Sequence, residues 1–279
     1  TTLFRSIKKV IVVNLDDENA DYFLSFEADE KIGFKKGDTN TRIHPNDANK
    51  IKIIEAKDIK LNEDGSRFKV NGLEFKINLL GEFNIYNALA AISVGLSQGI
   101  DLKISQKALE KIKFLPGRME IVIEKPFKVI VDYAHTPKEL ENVYQFVKSK
   151  FKTSHSKLIG VLGSAGGGRD KWKRPVLGKI ASRYCDWIVL TNEDPYDEDP
   201  SQILSQIKAG ISNSQFPISN LYEILDRREA IKKALSLAKE NDIVIITGKG
   251  SEPWICVAKG KKIPWDDRKV VEEEFKNLN

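Results

Sequence analysis

The sequence predicts an α/β protein: a small first part followed by a doubly wound, Rossmann-like parallel sheet. Three observations carry that prediction. Past Pro116–Gly117, apolar runs recur at 127–131, 158–162, 187–191 and 243–247, with a weaker one at 220–225. Helical patterns fill the gaps between them, and strands alternating with helices imply a parallel sheet covered on both faces. Before that break the texture differs, with hairpin signals where helical crossovers would otherwise stand.

Taken in chain order, "KKVIVVNLDD" (8–17) reads as a strand followed by an acidic turn placed to cap a helix. From 50 to 80, strand-like alternation is broken by "NEDGS" and "VNGLEF", whose Asp-Gly and Asn-Gly pairs predict a small meander. "NIYNALAAISVGLSQG" (84–99) is a helix ended by Gly99, and "SQKALEKIKFL" (105–115) is a second one, stopped by Pro116–Gly117. In 137–150, Leu140, Val143 and Val147 share one helical face. Asp226 with Glu229 resembles a capping box for a helix over 227–239.

Composition removes several classes of function. With 279 residues and 41% of them apolar, the chain can bury one large core or two ordinary ones. It has no apolar run of the length that spans a membrane and no signal-peptide pattern, so a cytoplasmic protein without membrane partners is expected. Cys185 and Cys256 lie in unrelated contexts, which argues against a disulfide framework or a zinc site. The net charge of +5 comes from 45 basic and 40 acidic residues spread along the chain, so solvated faces, not nucleic acid, account for it. Met119 is the one methionine and Thr1 opens the chain, from which a piece of a longer product is expected.

In parallel sheets ligands bind beyond the carboxyl ends of the strands. The polar clusters fall there: Asp132 to Thr136, Gly163 to Lys171, Asn192 to Tyr196, and Gly248 to Glu252. "GSAGGGRDK" is no Walker A loop, because Trp172 follows Lys171 where Ser or Thr must bind magnesium, and it is not GxGxxG. Three glycines permit close backbone approach to an anion but serve a flexible loop equally well. Arg169 tips the reading toward an anion, since a guanidinium holds a carboxylate with two hydrogen bonds. Alone, His135 reads as a packed surface histidine, Asp132 as a cap for the helix near Thr136, and "GKGSE" as a cap or turn. Two rivals stay open at this level: a non-catalytic binding module, and an NAD(P)-dependent oxidoreductase, which lacks the glycine fingerprint after its first strand.

Together "FNIYNALAA", "PGRME", "VDYAHTP", "GGGRDKWKRP", "NEDPYDEDP", "DRREAI", "GKGSE" and "WDDRKV" occur in the order and spacing of the Mur ligases. The chain resembles their MurE type, the UDP-N-acetylmuramoyl-tripeptide synthetases of peptidoglycan synthesis, over essentially its whole length. The resemblance implies the C-terminal part of a central ATP-binding domain at 1–116 and a complete C-terminal ligase domain at 117–279. It implies ATP, Mg²⁺, a UDP-MurNAc-dipeptide and a diamino acid as ligands, joined through an acyl phosphate.

The resemblance also implies roles. Adenine is expected near Asn84 and Asn87, the ATP phosphates near Arg118, and the ribose hydroxyls at Asp132, with Tyr133 and His135 shaping that loop. Arg169 would grip the α-carboxylate of the incoming amino acid, with Asp170 and Lys171 facing nucleotide and peptide. Asp194, Tyr196, Gly248 and Glu252 would line the amino-acid pocket. Ligases for meso-diaminopimelate carry Asp-Asn-Pro-Arg where this chain has "EDPY", Glu193 to Tyr196. Loss of that arginine and gain of Asp194 make lysine the first expectation, ornithine the next, and diaminopimelate the third. Ser251 stands where histidine is usual. No phosphate loop occurs, and the lysine that holds magnesium would lie upstream of "LFRSIKKVIVV". The missing N-terminal portion is therefore an expected partner, and no activity is expected without it.

Overall fold

The computed structural model describes residues 7–37, 51–62, 64–212 and 215–278. Contacts divide the chain into two compact units, Thr1–Phe114 and Leu115–Asn279.

The first unit comprises β1 (Val10–Asn14), α1 (Ala20–Leu24), β2 (Glu30–Lys36), β3 (Ile51–Asn62), β4 (Gly65–Val70), β5 (Leu73–Ile77), α2 (Phe83–Ser97) and α3 (Leu102–Lys111). Its sheet runs β1-β2-β3-β4-β5, the first three strands parallel and the rest antiparallel. The meander forms where the hairpin signals lie. Asn71 and Gly72 both take positive φ, 49° and 78°, as a tight two-residue turn requires. Phe68 and Phe75 then pair across β4 and β5 and stack at 5.6 Å. Glu63, in the other turn, lies outside the described residues.

Two local expectations need correction here, and one strand carried no clear signal. The acidic turn does not cap α1. Asp17 accepts from Asn19 N at 2.9 Å and Asp16 from Lys36 N at 2.9 Å, while the cap residue Asn19 makes no side-chain cap bond. The second helix begins at Leu102, not at 105, because Asp101 accepts from Lys103 N and sets the start earlier. Strand β2 has no clear sequence pattern because "EKIGFKK" offers only Ile32 and Phe34 to the core among three lysines.

The second unit comprises β6 (Glu120–Ile123), β7 (Lys128–Asp132), α4 (Pro137–Lys150), β8 (Leu158–Leu162), α5 (Lys173–Tyr184), β9 (Trp187–Leu190), α6 (Pro200–Ser212), β10 (Leu221–Glu223), α7 (Arg227–Leu237), β11 (Ile243–Thr247), β12 (Trp254–Val257), β13 (Lys261–Pro264) and α8 (Asp267–Lys276). The main sheet runs β10-β9-β8-β11-β7-β6; its first five strands are parallel, and β6 is an antiparallel edge. The centre of the sheet is dry, with every residue of β8 and β11 buried. One face packs Val129, Val161, Val244 and Ile246 against Ala230, Ile231, Val270 and Val271 of α7 and α8. Two elements gave no sequence signal. Strand β6 is four residues long and only half-buried, and the β12–β13 hairpin turns through Lys259 and Gly260 with no Asn-Gly or Asp-Gly pair.

Candidate functional site

Strands β7, β8, β9 and β11 all end on the same edge, so their loops are forced together. The β7 loop begins with Asp132, which is 4% exposed. Its carboxylate accepts from Met119 N and Ala134 N, both at 2.7 Å. Burial raises its pKa, against the pull of those two bonds and of Arg118. Asp132 does not cap α4, as one reading of the sequence had it. Thr136 does, in a capping box with Glu139. His135 points Nδ1 at Tyr133 O, 3.0 Å away, and its own carbonyl accepts from Lys173 Nζ at 3.1 Å.

Arg118 sits on a turn with positive φ on both sides, 64° at Gly117 and 48° at Met119. A Cβ on Gly117 would overlap the Ser251 backbone, so only glycine lets this turn lie against the β11 loop. The Arg118 side chain is exposed, and its guanidinium rests 4.5 Å over the Tyr133 ring. The Tyr133 hydroxyl donates to Glu252 Oε1 at 2.7 Å.

A cleft of about 540 Å³ opens between these loops. His135 and Glu252 line it from the β7 and β11 loops, Arg169 and Asp170 from the glycine loop, and Asp194 and Tyr196 from the β9 loop. Gly248 closes its floor and the 64%-exposed indole of Trp172 stands at its rim. The Arg169 guanidinium is exposed and lies 5.8 Å from the Tyr196 ring. Lys171 and Arg118 are absent from the lining; Lys171 pairs with Glu198 at 3.2 Å.

The sequence gave no warning of Lys249. It is 1% exposed, and its Nζ lies 2.8 Å from Asp194 Oδ2 and 2.6 Å from Glu252 Oε2. Asp194 Oδ1 also accepts from Cys256 N at 2.7 Å. Lys249 therefore sets a buried positive charge between two of the acids read from the sequence. Its only trace in the sequence was a lysine between two glycines, which looks like part of a turn. Arg174 was missed too. Fully buried under the glycine loop, it donates to Ala165 O, Gln206 Oε1 and Glu198 Oε2 at 2.7–3.0 Å.

Comparison with known proteins identifies the family. Residues 1–95 match the Mur ligase middle domain and residues 117–250 the Mur ligase glutamate ligase domain. The chain belongs to the Mur ligase family. Among its relatives, the UDP-N-acetylmuramoyl-L-alanyl-D-glutamate–2,6-diaminopimelate ligase of Aquifex aeolicus is 41% identical over 267 residues, 95% of this chain and 51% of that one. The enzyme of the same name from Clostridium botulinum is 35% identical, over 97% of this chain and 60% of that one. A solved structure of a ligase with this name superposes with a TM-score of 0.55 at 30% identity, covering 97% of this chain and 53% of that one. A pseudomurein peptide ligase from Methanothermus fervidus superposes with a TM-score of 0.66 at 19% identity over 96% and 56%, a likeness of fold. The chain thus spans about half the length of the relatives it matches.

Two further expectations can be placed within this Mur ligase chain. Asn84 is buried in the first turn of α2, donating to Leu80 O at 2.7 Å and accepting from Asn87 Nδ2 at 3.0 Å. Asn87 is exposed, and Nδ2 is the atom of its side chain used in that bond. Among the described residues no group of three or more His, Cys, Asp or Glu side chains is arranged to hold a metal ion, and no helix is long and apolar enough to cross a membrane.

Proposed function

We propose that the chain is the later half of an ATP-dependent, amide-forming ligase of the MurE type, which joins a diamino acid to UDP-MurNAc-L-Ala-D-Glu through an acyl phosphate. One observation carries the reading. An exposed guanidinium on a glycine-rich loop, Arg169, shares a single cleft with Glu252 and Asp194. That pairing suits an amino acid, a carboxylate at one end and an ammonium at another. The names of the relatives support the same chemistry.

On this reading Arg169 holds the α-carboxylate, and Asp170 and Lys171 face nucleotide and peptide. Arg118 offsets negative charge on the transferring phosphate. Asn87 is the better placed of the two asparagines to meet adenine, since Asn84 is engaged on both sides. With both oxygens holding backbone N–H groups, Asp132 serves to fix the loop under the nucleotide more than to touch ribose. Mg²⁺ supplies charge neutralisation for phosphoryl transfer when bound, and among the described residues no group of three or more His, Cys, Asp or Glu side chains is arranged to hold it. A cytoplasmic setting goes with these nucleotide substrates.

The amino acid we favour is meso-diaminopimelate. The expectation of lysine or ornithine rests on the loss of an arginine at Tyr196 and on surplus negative charge near the distal amine, and Lys249 offsets part of that charge. The relatives' names support the same choice. Lysine is the second reading, favoured by Tyr196 standing where an arginine would grip the distal carboxylate. The test is kcat/KM for diaminopimelate, lysine and ornithine in the ligase carrying its phosphate-loop half, where Arg118→Ala should lower turnover about 100-fold. The chain alone should release no phosphate with any of the three, for want of a phosphate loop. If none of the three supports phosphate release by the complete ligase, the proposal fails.

A further inference from the structure

The Tyr133 side chain touches both Arg118 and Glu252. Its ring carries the Arg118 guanidinium at 4.5 Å. Among the described residues the guanidinium makes no hydrogen bond or ion pair, and its charge also acts on the buried Asp132. Its hydroxyl donates to Glu252 Oε1 at 2.7 Å, and the other oxygen of Glu252 is fixed by Lys249 at 2.6 Å. The ring is boxed in. His135 packs edge-on at 4.8 Å, and Gly250, at a φ of 52°, lies so close that a Cβ there would sit 2.7 Å from Tyr133 Cβ.

We propose that Tyr133 is a positioning residue that links the amino-acid side of the cleft, through Glu252, to the orientation of Arg118. This rests on the ligase reading of the same site. A cation–π contact depends on where the charge lies over the ring. The ring's tilt is in turn set by a hydrogen bond to a carboxylate that faces the amino-acid pocket. An ammonium arriving at Glu252 changes that bond, and the plane supporting Arg118 responds. The arginine that meets the phosphates is thereby held in place best when the second substrate is present.

Two variants separate the ring from the hydroxyl. In the complete ligase, Tyr133→Phe keeps the ring and removes the bond, so KM for the amino acid should rise about tenfold and kcat should fall about threefold while KM for ATP stays within about twofold. Tyr133→Leu removes both, and kcat at saturating amino acid should fall a further tenfold or so. An unchanged amino-acid KM in Tyr133→Phe, or a Tyr133→Leu enzyme no worse than Tyr133→Phe, overturns the proposal. A second measurement needs no turnover. The bond to Glu252, with burial, pushes the Tyr133 phenol up to about 12. Ultraviolet titration of this chain should show one tyrosine titrating lower in Glu252→Gln than in the parent. An active ligase with no such shift overturns the link alone. A shift in a ligase that turns over no amino acid overturns the ligase reading, and the role given to Arg118 with it.

Discussion

Arg227 and Asp267 meet through two parallel hydrogen bonds of 2.8 Å, Nε to Oδ1 and Nη2 to Oδ2, with both side chains out of solvent. The same guanidinium donates to Asn192 O at 3.1 Å and Thr247 O at 3.0 Å, and Trp265 Nε1 donates to Asp267 Oδ1 at 2.7 Å. The loops after β9 and β11 are thus spaced by one planar ion. This explains why "DRREAI" and "WDDRKV" belong with the cleft motifs although neither reaches the cleft.

Removing one partner leaves the other as an uncompensated buried charge, which costs about 3–5 kcal/mol. Arg227→Met or Asp267→Leu should each lower the denaturant midpoint of the second unit by a matching amount. The double variant should lose less than the two singles added together. Simple additivity in the unfolding data would show that the two do not act as a pair.

Gly248 has a φ of 106°, and a Cβ there would overlap Glu193 Oε2. Gly248→Ala should destabilise the second unit by about 1–3 kcal/mol, part of it backbone strain and part collision. Glu193→Ala on that background should recover the collision and leave the strain. No recovery in thermal unfolding would mean that the clash is relieved some other way.

Lys249→Met should separate stability from specificity. It leaves Asp194 and Glu252 without their shared cation, so the protein should unfold more easily. The cleft would then carry the surplus negative charge read from the sequence, and in the complete ligase kcat/KM should move toward lysine relative to diaminopimelate. An unchanged ratio would separate Lys249 from substrate choice.

Glu198 titrates at about 2, held down first by its bond to Arg174, then by Lys171 and Gly168 N. A carboxylate whose folded pKa lies below its unfolded value contributes stability that is complete above the unfolded value, near 4.5, and is lost as pH falls toward 2. Thermal unfolding from pH 6 to pH 2 should therefore show a shallower acid decline in Glu198→Gln than in the parent. Parallel curves would rule out this ion pair as a source of acid sensitivity.

Much of the second unit was legible because its strands are fully buried. Runs such as "LIGVL" and "IVIIT" have no exposed face to confuse the pattern, and the polar loops follow them directly. Strands with only part of their surface in a core, β2 and β6, were not legible. In the site, exposed Arg169 and the glycines were visible as breaks in pattern. Lys249, Arg174 and Arg227 were not, because a buried cation is defined by partners distant in sequence: Lys249 and Asp194 are 55 residues apart. Reading Asp194 without Lys249 left its buried counter-cation out of the pocket.

The segment 117–279 should fold by itself, because the core cluster that includes Val129, Val244 and Val271 is built from its own strands and helices. A soluble fragment with cooperative unfolding would support this boundary. A fragment that binds apolar dyes and unfolds without a clear transition would contradict it.

Trp172 gives the protein an optical signal of its own. Its indole is exposed at the mouth of the cleft, whereas Trp187 and Trp265 are only partly exposed against the core on one face of the sheet, and Trp254, 42% exposed, is not among the residues that line the cleft. Indole emission follows the polarity and packing around the ring. A small molecule entering beside Arg169 and Asp170 changes those surroundings for Trp172 and leaves the two core-packed indoles as an internal reference. Occupancy of the cleft can thus be followed by intrinsic fluorescence, with no label, no coupled enzyme and no need for turnover.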